Sequence, residues 1–532
     1  MNRTTLSLIA VATALAAVTG VASMSGPDGA EPTATAQVLP RPVERSSLLC
    51  PAPSVSDVAE TTYTSVTPAG TKDAGTDGAA ELRESTVTLV DNDKPKDDGK
   101  NEEKDGGKGS GKDAEKDAEK DAEKGGGQGG EQGKSFLTLK DPGTPVSAEA
   151  GGAEAPALVG TATGRFAPGW TAQQTTTVPV GGGRGVLGVS CTAPDTEFWF
   201  PGASTQKSRQ DYVHLTNPDD SAAVVDVELY GKDGLLKAES GEGIPVPARS
   251  SVPVLLSTLT GEAADNLTVR VATRSGRVGA AVRASDDGGG SDWLAAAADP
   301  AARVVLPGIP ADATDVRVVA FAPGADDAEL KVQLVGADGT IIPAGNETLH
   351  VKSGMTAALD LGSVTRGQAG SLLLSPAGSR ATPVTAALRV VRGKGDKQEL
   401  AFIPATGKIE SRATVADNRA KGSTLSLTAP GETAKVKVTA SAGSDGGEPA
   451  EETYTVKGGT TLAVTPPVPA GLKGSYALTV EPQSGGPVHA ARMLELPEDG
   501  VPMFTVQTLP DDRGTVFVPK AREDLSILGG QD

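Results

Sequence analysis

The chain of 532 residues carries a formal net charge of −19 and few aromatic residues, namely 3 Trp, 5 Tyr and 8 Phe. This length exceeds what one hydrophobic core supports and predicts three to five domains of roughly 100 to 150 residues. A composition rich in glycine, proline, alanine, valine and threonine favours an all-β protein with thin cores. Because the negative charge opposes attraction to nucleic acid, we expect no nucleic-acid partner.

The N-terminus has the pattern of a secretory signal peptide. An apolar segment, residues 6–22, follows a single positive charge, as in chains directed to export. Cleavage after residues 21–23 or after residues 34–36 fits the small side chains there, so residues 1–36 are interpreted as a signal peptide and short linker. The alternative is an uncleaved anchor, which would then be the contact with the membrane. We expect a secreted or extracytoplasmic protein associated with the cell envelope.

The sequence contains two cysteines, Cys50 and Cys191. An even number of cysteines in an exported chain predicts one disulfide, since the compartment is oxidising. The alternative is a pair of free buried thiols.

A strand pattern repeats along the second half of the chain. Apolar residues alternate with polar ones at 225–229, and the same alternation returns about 105 residues later at 330–334 and again at 435–439. This period-2 pattern is typical of half-buried strands. Each strand runs into a dipeptide that closes tight hairpins, at Asp233-Gly234, Asp338-Gly339 and Asp445-Gly446.

Two further landmarks keep nearly the same spacing. An apolar residue followed by proline opens each unit, at Phe200-Pro201, Leu306-Pro307 and Ile403-Pro404, and it recurs at Leu509-Pro510. Paired alanines occur in the strand that closes each unit, at Ala280-Ala281, Ala386-Ala387 and Ala490-Ala491. Side chains this small allow close backbone approach in packed sheets.

These repeats predict an all-β protein of tandem immunoglobulin-like β-sandwich units, because a sandwich of seven strands needs about 100 residues. We expect the units to lie end to end. The predicted boundaries place β-sandwich repeats at 196–300, 301–398 and 399–500, followed by a C-terminal strand and tail at 501–532.

A further sandwich-like unit is predicted at 37–195, with Cys50 in its first strand and Cys191 in its last. It is interrupted by a charged insert at 91–134, which has three alanines as its only apolar side chains and includes the sequence KDAEKDAEKDAEK. Since no core can form from such a composition, we interpret the insert as disordered. Strand-like sequences continue on both sides of it.

The sequence nominates no catalytic, cofactor-binding or metal-binding residue. His214, His350 and His489 fall in strands of different repeats, without the close spacing of metal ligands. No Gly-x-Ser-x-Gly elbow occurs in a strand-turn-helix context. Two carboxylates brought together by folding would suffice for a glycosidase, and this alternative stays open, although solvated surface acids are the simpler interpretation.

Three aromatic residues stand in a row in the sequence EFWF, where alternation sends Trp199 to the face opposite Phe198 and Phe200. An exposed tryptophan there would stack on a sugar ring, so Trp199 is a candidate ligand contact. A packed joint between the first and second units is the alternative use of the same side chain.

The sequences CTAPDTEFWFPGAS and DYVHLTNPDDSAAVVDVELYGKDG, with Cys191 in the first and the Thr216–Pro218 turn in the second, carry a resemblance. The chain resembles an uncharacterised family of actinobacterial exported proteins, domain of unknown function 5719. The resemblance implies a role at or beyond the cell envelope and brings no catalytic residues.

Export, repeated sandwich units and the lack of a recognisable catalytic motif together predict a noncatalytic secreted or envelope-associated scaffold or binding protein. Its expected partners are envelope glycan or envelope proteins. One alternative is a dedicated envelope glycan-binding protein, and a second is a cryptic glycan hydrolase.

Overall fold

A computed structural model describes residues 38–53, 56–70, 75, 77–88, 134–238 and 240–519. The predicted signal peptide lies outside the described residues, and so does the charged insert except Lys134. The described chain is nearly all β, with three short 3-10 helices at Gly164–Phe166, Leu256–Thr258 and Gly395–Lys397. No helix in these ranges is long and apolar enough to span a membrane.

The chain divides into two units. The first unit comprises Met1–Arg41 and Thr515–Asp532, and its described part is a two-stranded ribbon. The second unit, Pro42–Gly514, holds four β-sandwiches. The strands, numbered in chain order, begin with β1 (Val38–Pro42) of the ribbon, whose partner β38 (Thr515–Pro519) comes last.

Sandwich one packs the sheet β2-β7-β4-β5 on the sheet β6-β3-β8-β9. Its strands are β2 (Arg45–Cys50), β3 (Glu60–Val66), β4 (Ala80–Val87), β5 (Ser135–Thr138), β6 (Val146–Gly151), β7 (Ala157–Thr163), β8 (Thr171–Val178) and β9 (Gly185–Ser190).

Sandwich two packs β10-β16-β12-β13, with β14 also on β12, against β15-β11-β17-β18. Its strands are β10 (Glu197–Ala203), β11 (Tyr212–Thr216), β12 (Ala223–Gly231), β13 (Gly234–Leu235), β14 (Ile244–Val246), β15 (Ser250–Leu255), β16 (Leu267–Ser275), β17 (Gly279–Asp286) and β18 (Gly290–Leu294).

Sandwich three repeats this order, with β19-β25-β21-β22 and β23 on one side and β24-β20-β26-β27 on the other. Its strands are β19 (Val304–Ile309), β20 (Asp315–Phe321), β21 (Ala328–Val335), β22 (Thr340–Ile341), β23 (Thr348–Val351), β24 (Thr356–Asp360), β25 (Gly370–Pro376), β26 (Thr385–Arg392) and β27 (Glu399–Pro404).

Sandwich four packs β28-β35-β30-β32 on β33-β29-β36-β37, beside the short pair β31-β34. Its strands are β28 (Ala413–Asn418), β29 (Ser423–Ala429), β30 (Ala434–Gly443), β31 (Gly446–Glu448), β32 (Ala450–Val456), β33 (Thr460–Val464), β34 (Ala470–Lys473), β35 (Tyr476–Gly485), β36 (His489–Glu495) and β37 (Phe504–Leu509).

The prediction of tandem immunoglobulin-like β-sandwiches is confirmed, and all four share one core strand order. Some strands fall differently from the predicted boundaries. β27, residues 399–404, pairs with β26 and completes sandwich three, although it was expected to open the fourth unit. β37 pairs with β36 inside sandwich four, although residues 501–532 were expected to form a separate strand and tail.

The sequence predicted that the sandwiches lie end to end, but they close into a ring instead. The last strands contact one another in a cycle, β9 with β18, β18 with β27, β27 with β37, and β37 with β9. β4 of sandwich one also pairs in parallel with β15 of sandwich two, which joins two sheets into one of eight strands. Residues of sandwiches three and four also form part of the core of the sandwich that precedes each of them.

The paired alanines explain this close approach. Ala386 lies in the core of sandwich three, whereas its neighbour Ala387 packs into the core cluster of sandwich two. Ala490 and Ala491 repeat the arrangement between sandwiches four and three. Successive strand residues point to opposite faces, so one alanine of each pair serves its own core and the other lets the preceding sandwich approach.

The contact between neighbouring sandwiches is also repeated in hydrogen bonds. Thr356 Oγ1 of sandwich three donates to the Tyr230 carbonyl of sandwich two at 2.8 Å. One repeat later, Thr461 Oγ1 of sandwich four donates to the Val335 carbonyl of sandwich three at 2.7 Å. The equal spacing of donors and acceptors indicates that the interface between sandwiches two and three is repeated between sandwiches three and four.

Candidate functional site

The four last strands meet at a common axis, and the Asp292 carboxylate of β18 lies buried among them. It accepts hydrogen bonds from Gly188 N of sandwich one at 3.2 Å and from Thr505 Oγ1 of sandwich four at 3.1 Å. The backbone N–H groups of Phe402 in sandwich three and of the following Trp293 also act to favour its ionised form. Asp292 is therefore a hub at which groups of all four sandwiches meet.

The hub depends on a glycine beside it. A Cβ atom at Gly188 would lie 2.6 Å from Thr505 Cγ2, closer than packed atoms approach. Burial raises the pKa of Asp292 well above its usual range, although the surrounding donors oppose this shift. Burial prevails because the donors compensate only part of the hydration that a carboxylate loses in the interior.

An ion pair, formed by Arg184 and Glu399, also crosses the axis and links sandwiches one and three. Arg184 Nε lies 3.4 Å from Glu399 Oε2, and its Nη2 donates to the Gln398 carbonyl at 2.7 Å. Burial raises the pKa of Glu399 to about 8, although the Arg184 charge and the Ser291 N–H both act to lower it. The ion pair thus stabilises the carboxylate less than burial destabilises it.

This shift predicts a pH-dependent stability for Glu399. The unfolded carboxyl ionises near pH 4.5 and the folded one near pH 8, so stability is lost as pH rises between these values and is constant above them. We expect Glu399→Gln to remove this loss, so that the variant gains a few kcal/mol relative to wild type from about pH 5 to about pH 8. Denaturant unfolding of both proteins across this range measures it. A difference that does not change with pH would contradict the assignment.

One end of the axis opens into a wide cleft, which we name the axial cleft. Its volume is about 860 Å³, and all four segments that follow the last strands contribute to it. Its lining combines charged side chains with apolar ones, among them Ala296, Val304, Pro430 and Pro510. The charged residues are Asp195, Glu197, Asp299, Arg303, Lys408, Glu410, Asp511 and Arg513.

Several acids of the axial cleft are already engaged. Glu197 pairs with Arg270 at 2.6 Å, and Glu410 pairs with Lys408 at 3.1 Å. Burial acts to raise the pKa of Asp511, but hydrogen bonds from the backbone N–H groups of residues 410–412 and 513 hold this pKa below its usual value. An acid held ionised in this way is poorly suited to donate a proton in catalysis.

Trp199 lines the axial cleft but is 6% exposed. Its ring lies 5.3 Å from the Phe321 ring of sandwich three, and the Arg270 guanidinium lies 5.3 Å above it. Phe198 and Phe200 point the other way, into the core of sandwich two. The structure therefore places Trp199 at the joint between sandwiches two and three, and its role as a ligand contact stays a prediction.

The three histidines lie apart. His214 is buried against Trp293, with ring centroids 5.1 Å apart, and burial lowers its pKa well below the usual value. His350 is exposed, with Nδ1 2.9 Å from Glu329. Burial lowers the pKa of His489 to about 4, so it is neutral at pH 7. Within the described ranges, no group of three or more His, Cys, Asp or Glu residues is placed to hold a metal ion.

The predicted disulfide is confirmed: Cys50 and Cys191 are bonded, with an S–S distance of 2.00 Å. It joins the end of β2 to the residue after β9. Beside it, Leu49 and Thr192 exchange backbone hydrogen bonds of 2.8 and 3.0 Å. The first and last strands of sandwich one, which lie in different sheets, are thereby tied together.

With this architecture, the chain is a protein of four β-sandwiches closed around a polar axis. The model of a family of unknown function (DUF5719) matches residues 146–467, more than half of the chain. The chain therefore belongs to this family. No curated protein and no solved structure matches it.

Sequence reasoning missed Asp292 and Glu399. Each is an acid inside a short strand of otherwise buried residues, in the sequences GSDWL and ELAFIP. A charge in a buried run is a usable signal, since an isolated buried charge is costly and needs partners. The partners, however, come from other sandwiches, which the sequence of one strand does not reveal.

Proposed function

We propose that the protein is a noncatalytic binding protein that acts outside the cytoplasm, in association with the cell envelope. The observation that carries this proposal is the axial cleft, because closure of the ring brings segments of all four sandwiches to one ligand-sized opening. Pockets of about 300 to 1,000 Å³ that combine apolar walls with a few polar groups are typical ligand sites.

The extracytoplasmic location has two supports. A disulfide that closes one sandwich persists in oxidising compartments, and the N-terminal sequence has the pattern of an export signal. Noncatalytic function is supported by the carboxylates themselves. Asp292 and Glu399 bind groups of other sandwiches at the axis, while Glu197 and Glu410 are held in ion pairs.

A polyhydroxylated ligand such as envelope glycan suits the axial cleft. Sugar hydroxyls both donate and accept, so they can bond to carboxylates such as Asp299 and to cations such as Arg303 and Arg513 in the same cleft. The C–H faces of sugars pack on apolar walls, which Val304 and Pro510 provide. These features favour glycan as the bound envelope component.

The test combines fractionation, binding and turnover. We expect the processed chain in the envelope or extracellular fraction, and saturable binding to isolated envelope glycan. The double substitution Arg303→Ala and Arg513→Ala in the axial cleft should weaken binding, and Arg380→Ala, which removes an exposed arginine outside the cleft, should not. Sustained glycan hydrolysis that disappears when one carboxylate is changed would instead establish the hydrolase alternative. A cytoplasmic location would contradict the proposal.

A further inference from the structure

Among the residues that the structure describes, four arginines are almost completely buried, namely Arg209, Arg283, Arg392 and Arg492. Three of them have protein acceptors. Arg209 pairs with Asp211 at 2.8 Å, Arg392 pairs with Asp312, and Arg492 donates to Gln173 Oε1 at 3.2 Å. Arg283, 9% exposed, has no carboxylate within ion-pair distance in the part of the chain that the structure describes.

Arg283 makes a cation–π contact with Tyr212. Its guanidinium carbon lies 5.2 Å from the centre of the Tyr212 ring. Burial lowers the pKa of Arg283, and its charge helps to lower the pKa of the neighbouring His214. Arginine nevertheless stays protonated in proteins. Since a buried, unpaired charge is costly, a position that keeps one is a candidate for ligand binding.

Arg283 also lines a pocket at the boundary of sandwiches one and two. The pocket has a volume of about 270 Å³ and includes the backbone of Gly182 and Gly183 from the turn before β9. Ser285 and Ser291 also line it, but Ser291 Oγ donates to Ser285 Oγ at 2.9 Å and Ser285 Oγ donates to the Gly182 carbonyl at 2.7 Å, which leaves Arg283 as the donor for an anion. This pocket is distinct from the axial cleft, with which it shares no lining residue.

We propose that this pocket binds the carboxylate group of a small ligand or of a polymer end. The planar guanidinium of Arg283 presents paired N–H groups that match the two oxygens of a carboxylate. Asp287 also lines the pocket. One unpaired cation beside one acid suits a monoanion, because a phosphate dianion would meet repulsion from Asp287 without a second cation.

The size of the pocket sets the size of the ligand. Its volume is below the range of about 300 to 1,000 Å³ that accommodates drug-sized molecules. It therefore fits one sugar acid or one amino-acid residue. Both sources present the same carboxylate, and two probes distinguish them: glucuronate represents a sugar acid, and N-acetylglycine represents a peptide end.

The experiment measures binding of glucuronate, N-acetylglycine and inorganic phosphate to the intact processed protein by calorimetry. We expect saturable binding of at least one carboxylate and weaker binding of phosphate. Arg283→Met should weaken carboxylate binding about tenfold or more, since a hydrogen bond to a charged group is lost. Arg283→Lys should retain part of the binding because it keeps the charge and loses the paired geometry.

Arg380→Met is the matched control, since Arg380 is exposed and pairs with Asp326 away from this pocket. It should bind as wild type does. Thermal unfolding adds a second readout: Arg283→Met should be at least as stable as wild type, because it removes an unpaired buried charge. Wild-type protein that binds neither carboxylate, phosphate that binds more tightly, or Arg283→Met that binds normally would each overturn the proposal.

Discussion

Replacing Asp292 by alanine is expected to lower the free energy of unfolding by about 3 to 5 kcal/mol. The substitution removes the acceptor shared by Gly188 N and Thr505 Oγ1, and it also removes the carboxylate that interacts favourably with the Phe402 N–H group. These donors come from three different sandwiches and are buried, so water does not readily replace the lost carboxylate. Because the ring is held at this point, the loss should affect all four sandwiches together.

Asp292→Asn is the matched control. Its amide oxygen can accept part of the same set of hydrogen bonds, and it removes the charge that burial disfavours. We expect it to be clearly more stable than Asp292→Ala. Chemical denaturation followed by intrinsic fluorescence reports the change, because Trp293 is adjacent to the hub. Equal stability of the alanine variant and wild type would show that Asp292 does not hold the ring.

The internal construction of each sandwich could be predicted from the sequence. Alternation at 225–229 predicted β12, and the Asp233-Gly234 turn leads into β13. These signals are local, because a strand with one buried face and a tight turn depend on neighbouring residues. The repeat then carried the same prediction to the later sandwiches, where β21 and β30 are found at the expected positions.

The apolar-proline landmark shows why the boundaries were harder. Phe200-Pro201 and Leu306-Pro307 lie in first strands, each followed by a glycine with positive φ at a break in the strand register. Ile403-Pro404 instead ends the last strand β27. Proline is tolerated both at such irregularities and at strand ends, because neither requires its missing N–H. The landmark in a first strand is followed by glycine, whereas Pro404 is followed by alanine. The boundaries were predicted from the spacing of the landmarks, which does not distinguish these two cases.

Closure of the ring could not be predicted in this way. The alternation of apolar residues explains one packed face per sheet, whereas the second alanine of each pair packs on another sandwich. Sandwich one lacks the alanine pair in β8, and it meets sandwich four through buried polar contacts beside small apolar clusters. Gln173 Oε1 accepts from Ala416 N and Asp417 N, both at 3.0 Å. This interface joins residues more than 240 positions apart, beyond any local pattern.

Removing the disulfide is expected to produce the other large loss of stability. Cys50 and Cys191 are 141 positions apart, and cross-linking a loop of this length stabilises a protein by about 4 to 5 kcal/mol in the chain-entropy model. The bond also holds β2 beside the end of β9, which contacts β18 and β37 at the axis. Unfolding of sandwich one should therefore loosen the ring.

The measurement compares denaturant unfolding of the oxidised protein, the reduced protein and the variant Cys50→Ser with Cys191→Ser. We expect the reduced and double-serine proteins to unfold at similar, lower denaturant concentrations. The double variant controls for the reductant, which should not change its unfolding because no cysteine remains. If oxidised and reduced proteins unfold alike, the first and last strands of sandwich one are held by packing and by the Leu49–Thr192 hydrogen bonds alone.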